Sequence, residues 1–205
     1  MPIALKEWAV TVRALAEGEQ LVTLRSVADT DRPLEHDQFF LFPTFEQQRQ
    51  DLIRGSHQPE LRRALEEGVW PDGDPPLHAL GRPGTICQPE RVRIRAWAEI
   101  AGSWRITDPR MVHELSPFYI WTPDYAVKRL AWRRSQPLEV VLLRAHRIPR
   151  PVTVRIKDDF GGASPFVEIA RDLPFEGTPV LADSEFERAH EEIAGICGAA
   201  DLAYA

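Results

Sequence analysis

Arg91-Val92-Arg93-Ile94-Arg95-Ala96-Trp97-Ala98-Glu99-Ile100 alternates without a break, and its reading decides the fold class. Val92, Ile94, Ala96, Ala98 and Ile100 fall on one side of an extended chain, and Arg91, Arg93, Arg95, Trp97 and Glu99 on the other. A helix would scatter these residues around its axis. The period of two instead predicts a half-buried strand.

Downstream, Leu138 to Ile148 reads as a long buried strand, and Val152 to Ile156 continues the sheet after a proline break. Asp108-Pro109 and Thr122-Pro123 each place a capping residue before a proline, which opens a short helix. The second is expected to run through Leu130 and Trp132. Asp158 to Pro165 is a turn, and Phe166 to Ile169 a last strand. Ser184 and Glu187 fit a capping box for a final helix carrying Phe186, Ala189, Ile193 and Cys197 at helical spacing.

Upstream, Trp8 to Leu15 and Gln20 to Arg25 are both strand-like, and Glu17-Gly18-Glu19 between them predicts a hairpin. Phe39 to Phe42 is a short buried strand stopped by Pro43. Thr44 and Gln47 predict a helix over 45–53, ended by Gly55, and Pro59 starts another through Leu61, Ala64 and Leu65 that stops at Gly68. The Pro, Gly and Asp content of residues 70–89 marks a linker. The expected fold is α+β: a mostly antiparallel sheet, or two small ones, with short capping helices in two closely packed parts. Residues 1–69 form the N-terminal part and 90–205 the C-terminal part, an arrangement that also fits one compact unit.

The 205 residues are 43% hydrophobic and 27% charged, which is ordinary globular usage. Two cysteines, Cys87 and Cys197, are too few for a disulfide framework, and a reducing, cytoplasmic setting is expected. The N-terminus reaches charge at Lys6-Glu7 and does not read as a signal peptide. Nowhere do about 18 uncharged apolar residues run together, so no membrane partner is expected.

Net charge is −6, yet its distribution is uneven. Between Asp124 and Lys157 nine basic residues stand against Asp124 and Glu139, a local excess of seven positive charges. From Asp158 onward the balance reverses, with Arg171 and Arg188 against eleven carboxylates.

Leu5-Lys6-Glu7-Trp8-Ala9-Val10, Leu24-Arg25, and Phe39-Phe40-Leu41-Phe42-Pro43-Thr44-Phe45-Glu46-Gln47-Gln48 together resemble the bacterial domain-of-unknown-function family 1802. Pro117 to Thr122, Pro137 to Arg144 and Gly161 to Ser164 look like later blocks of that family, so the resemblance spans nearly the whole chain. Where the family carries a lysine and two glycines after Leu-Arg, this chain has Ser26-Val27-Ala28, and Ala163 stands where the family often has cysteine. The resemblance implies no activity. It implies an association with restriction-modification contexts, which points towards nucleic acid and DNA processing.

Two sets of residues are candidates for function. Arg129, Arg133, Arg144 and Arg147 of the basic stretch can neutralise phosphates, with Trp121 able to stack on unpaired bases; nucleic acid is the expected partner. The bland alternative is charge scattered over the surface or paired with the acidic tail. Lys6, Glu7, Arg25, Glu46 and Gln48 form the second set, on the expectation that a hairpin brings Lys6, Glu7 and Arg25 to one sheet end while Glu46 and Gln48 sit in a helix's first turn. Such a cluster suits a small anionic ligand of an enzyme, or else a structural ion pair. A third reading is a protein–protein interaction module using the aromatic stretch Phe118 to Tyr125.

Six histidines form no HxH, HExxH or Cys/His cluster, so neither metal nor cofactor is expected. Glu139-Val140-Val141 lacks the lysine of a restriction-type nuclease, and Glu191-Glu192-Ile193-Ala194-Gly195 is one residue out of step with the Nudix metal helix. No nucleophile elbow or phosphate-cradling loop occurs. Whether the chain is an enzyme, and its oligomeric state, stay open at this level.

Overall fold

The computed structural model describes residues 2–26, 36–45, 48–69, 89–125, 127, 137–155, 164–169 and 171–198, with the side chains of Gly68 and Val69 excepted. Its strands are β1 (Ile3–Trp8), β2 (Val22–Ser26), β3 (Gln38–Thr44), β4 (Arg91–Ile106), β5 (Leu138–Arg155), β6 (Phe166–Glu168) and β7 (Thr178–Pro179). They form one sheet of order β2-β5-β4-β3-β1-β6, with β7 on β5. Only the β1–β3 pair among these is parallel. The α+β, mostly antiparallel expectation is met. Strands from both sides of residues 70–89 share the sheet, and the linker expected there lies outside the described residues except at Pro89.

The expected N-terminal hairpin does not form. Ala9–Glu17 is a helix, α1, and β1 and β2 are separated in the sheet by β3, β4 and β5. Its apolar residues serve two clusters: Val10 and Ala14 join the larger core, whereas Val12, Leu15 and Ala16 join a smaller one. A helix wedged between apolar surfaces loses the one-sided pattern that marks surface helices, and its Val and Thr residues then imitate a strand. Its polar members Arg13 and Glu17 pair at 2.8 Å across one turn. Gly18 ends it with φ 80°, its N–H donating to the Ala14 and Leu15 carbonyls.

The long strand that opened the sequence reading is real, but its alternation is interrupted. Pairing slips between Ile94 and Ala96, where Arg95 of β4 faces Ile148 to Pro151 of β5. Trp97 therefore returns to the side of Val92 and Ile94 in the larger core, while Ala96 and Ala98 enter the smaller cluster. A second slip between Ile100 and Gly102 brings Trp104 and Ile106 to the larger core's side. The sheet is covered on both faces, and β5 alternates to match: Leu138, Val140 and Leu142 against Val141, Leu143 and Ala145.

Further helices among the described residues are α2 (Gln58–Val69), α3 (Pro109–Glu114) and α4 (Asp183–Gly198), and residues 123–125 and 127 are also helical. Asp108 caps α3 as expected, its Oδ1 accepting from the Arg110 N–H at 2.8 Å. At α4 the cap falls earlier than Ser184: Glu185 Oε2 accepts from the Ala182 N–H at 3.3 Å. The helix expected over 45–53 is reduced, among the described residues, to a 3-10 turn at Gln50–Leu52. Thr44 belongs to β3, where its hydroxyl donates to the Glu7 carbonyl at 3.0 Å instead of capping a helix.

Candidate nucleic-acid interface

Arg91 to Ile94 of β4 and Val152 to Arg155 of β5 pair with each other and, among the described pairings, with no third strand. Val92, Ile94 and Val154 are buried. Alternation sends Arg91, Arg93, Thr153 and Arg155 to the other side, with Arg91 directly opposite Arg155. The register thus sets two exposed arginines opposite each other across the strand pair. Just beyond, Pro149, Arg150 and Pro151 are all exposed in the outward bulge of β5, and Arg147 is exposed beside it.

Acidic partners on α2 serve the inner arginines. Arg95 pairs with Glu67 at 3.0 Å, and Arg13 pairs with Glu60 and Glu67 at 2.8 and 2.7 Å. Burial opposes the Arg13 charge, but the hydrogen bond it donates to Glu60 and the field of Glu67 outweigh it and hold the guanidinium pKa above its usual value. Arg147 Nε donates to the Ala16 carbonyl at 2.7 Å, satisfying one of the last carbonyls of α1.

The other residues expected to meet nucleic acid are placed differently. Arg144 pairs with Asp183 at the start of α4 and lies over the Phe186 ring, 5.1 Å from its centroid. Trp121 is 6% exposed and packs edge-on against Trp8, with ring centroids 5.0 Å apart. The Tyr125 ring lies 5.0 Å from that of Trp121 on another side. Trp121 serves the core, and stacking on a base would require leaving it. Arg129 and Arg133 lie outside the described residues.

The N-terminal polar set is divided by the topology. Lys6 and Glu7 stand opposite Phe42 and Pro43 on the β1–β3 ladder, and Gln48 reaches the same place by donating to the Thr44 carbonyl at 2.7 Å. Arg25 is on β2, opposite Glu139, with three strands between it and β1. Glu46 lies outside the described residues. Burial lowers the Lys6 pKa from its usual value. No group of three or more potential metal ligands occurs among the described residues.

Sequence reasoning missed a row of rings across the sheet. Phe40, Trp97 and His146 are neighbours on β3, β4 and β5. His146 lies parallel to Trp97 at 3.9 Å, with Nε2 3.2 Å from Glu99 Oε1. Phe175 stacks on Phe40 at 4.8 Å. The signal was present in Trp97, but strict alternation assigned that ring to the polar side.

Residues 4–192 match DUF1802, a domain of unknown function. The chain belongs to that family. No curated protein matches the DUF1802 chain significantly. Among solved structures it is similar to the crystal structure of a mutant ZmASCH protein from Zymomonas mobilis, at 11% identity and a TM-score of 0.41, over 77% of this chain and 89% of that one. No described helix is long and apolar enough to cross a membrane.

Proposed function

We propose that this DUF1802 protein binds nucleic acid through the phosphate backbone, using Arg147, Arg150 and Arg155 of β5 with Arg91 of β4. The observation that carries the reading is the register that sets Arg91 against Arg155 on exposed backbone, next to the projecting Arg150. Guanidiniums suit phosphate because their planar forks donate two parallel hydrogen bonds, and gathering several along one strand matches a polymer of anions better than a single small ligand. Arg147 is retained from the sequence reading. Arg144 and Trp121 are reassigned to packing, and Arg150 and Arg155 of the basic stretch share one end of the β4–β5 pair with Arg91. The family's implied restriction-modification setting accords with this reading.

The test is fluorescence anisotropy at low ionic strength with labelled single-stranded and duplex oligonucleotides. The wild-type chain is expected to bind, and Arg91→Gln/Arg150→Gln/Arg155→Gln to bind more weakly at every sequence tested, because phosphate contacts carry no base code. Equal affinity of wild type and variant sinks the proposal.

A further inference from the structure

On the side of the molecule where α4 meets the end of α1 lies an open groove of about 320 Å³. Its floor is apolar, formed by Leu21, Phe118, Leu181 and Ala189, and three carboxylates, Glu19, Glu185 and Glu192, share its rim with Arg188. The floor is fixed where the chain is tight: a Cβ on Gly18 would stand 2.9 Å from Leu181 Cδ2, so Leu181 rests directly on the turn that ends α1. Glu185 spends one oxygen on the Ala182 N–H, and Glu19 has His57 Nε2 at 3.7 Å. Beyond the groove, α4 also exposes Asp183, Glu187 and Glu191.

An apolar floor below an anionic rim fits one kind of side chain, a long aliphatic stem ending in a cation. Lysine and arginine lay their methylenes on apolar surface and keep the charged head at its edge. We infer that this groove docks a basic segment of a partner protein, in which lysine or arginine side chains lie on Leu21, Phe118 and Leu181 and reach Glu19 and Glu192. The negative field of α4 steers such a segment towards the groove. None of Arg91, Arg147, Arg150 and Arg155 lines the groove, and the inference does not depend on nucleic-acid binding.

The experiment titrates the full chain into a fluorescein-labelled peptide of alternating lysine and leucine, and compares two charge-matched double variants. Glu19→Lys/Glu192→Lys alters the rim, whereas Glu187→Lys/Glu191→Lys makes the same charge change on exposed positions of α4 that do not line the groove. The rim variant is expected to bind about tenfold more weakly than wild type, and the control within about twofold. Circular dichroism confirms that both variants are folded. Absence of wild-type binding overturns the proposal, as does equal weakening in both variants, which would mean undirected attraction to an acidic helix. Concentration-dependent self-association lost only in the rim variant would assign the groove to a second copy and also overturn it.

Discussion

The two halves of the β4–β5 pair are built from the same strands and the same period, yet they use it for opposite ends. From Ala96 to Ile106, against Leu138 to Arg147, β3 or β2 flanks the ladder along most of its length, and both faces are covered by core. From Arg91 to Ile94, against Val152 to Arg155, one face is buried and the other carries arginines. The change falls at the bulge where Arg95 meets Ile148 to Pro151. A register slip thus separates the part of the ladder packed on both faces from the part that carries exposed arginines.

Breaking the inner half should cost the most stability. Phe40 is fully buried, opposite Trp97, so Phe40→Ala is expected to lower unfolding free energy by about 3–5 kcal/mol in urea titration. A loss below about 1 kcal/mol would mean that the ring row is not a core element. Gly177→Ala comes next: its Cβ would collide with the Arg147 carbonyl oxygen, so the chain entering β7 must move away from β5, at an expected cost of about 1–3 kcal/mol. If thermal unfolding of that variant matches wild type, β7 contributes nothing where the halves meet.

The outer half should respond in the reverse sense. Arg150→Gln/Arg155→Gln is expected to change stability by less than about 0.5 kcal/mol, since exposed substitutions away from packed features rarely do more, while weakening oligonucleotide binding. A clear loss of stability would give these arginines a structural duty.

A separate effect is with pH. Burial pushes the Cys197 thiol up to about 11 and the Tyr119 hydroxyl up to about 12, and the latter also donates to the Val112 carbonyl at 2.6 Å. In the unfolded chain both groups ionise at lower pH, so the native state holds more protons over the interval, and stability should fall as pH rises from about 9 to about 12. Stability that is flat across that range would show the two groups to be accessible to water in the native state.

These contrasts also explain what could be read without the structure. The β4 and β5 strands, the cap at Asp108, and the presence of the final helix declared themselves because local patterning and tertiary environment agree there. α1 did not, because a helix buried on several sides has no polar face beyond Arg13 and Glu17 to reveal its period. Trp97 was misassigned because the pairing shifts by three residues at Arg95, an odd number that reverses the side chains following it, and no residue of β4 itself marks the place. Local charge excess identified the basic stretch but not the partners of its members: Asp183 takes Arg144 from a distant helix, whereas Arg91, before the stretch begins, joins Arg155 only through the sheet register.

The outer arginines are proposed to act together on phosphate. The most direct measurement is the slope of log K against log salt for duplex DNA, compared between wild type and Arg91→Gln/Arg150→Gln/Arg155→Gln. Each phosphate contact removed should make the slope shallower by about 0.9, so the triple variant should lose up to about 2.7. Wild-type binding with a slope that the variant leaves unchanged would contradict the assignment of this end of the sheet to nucleic acid.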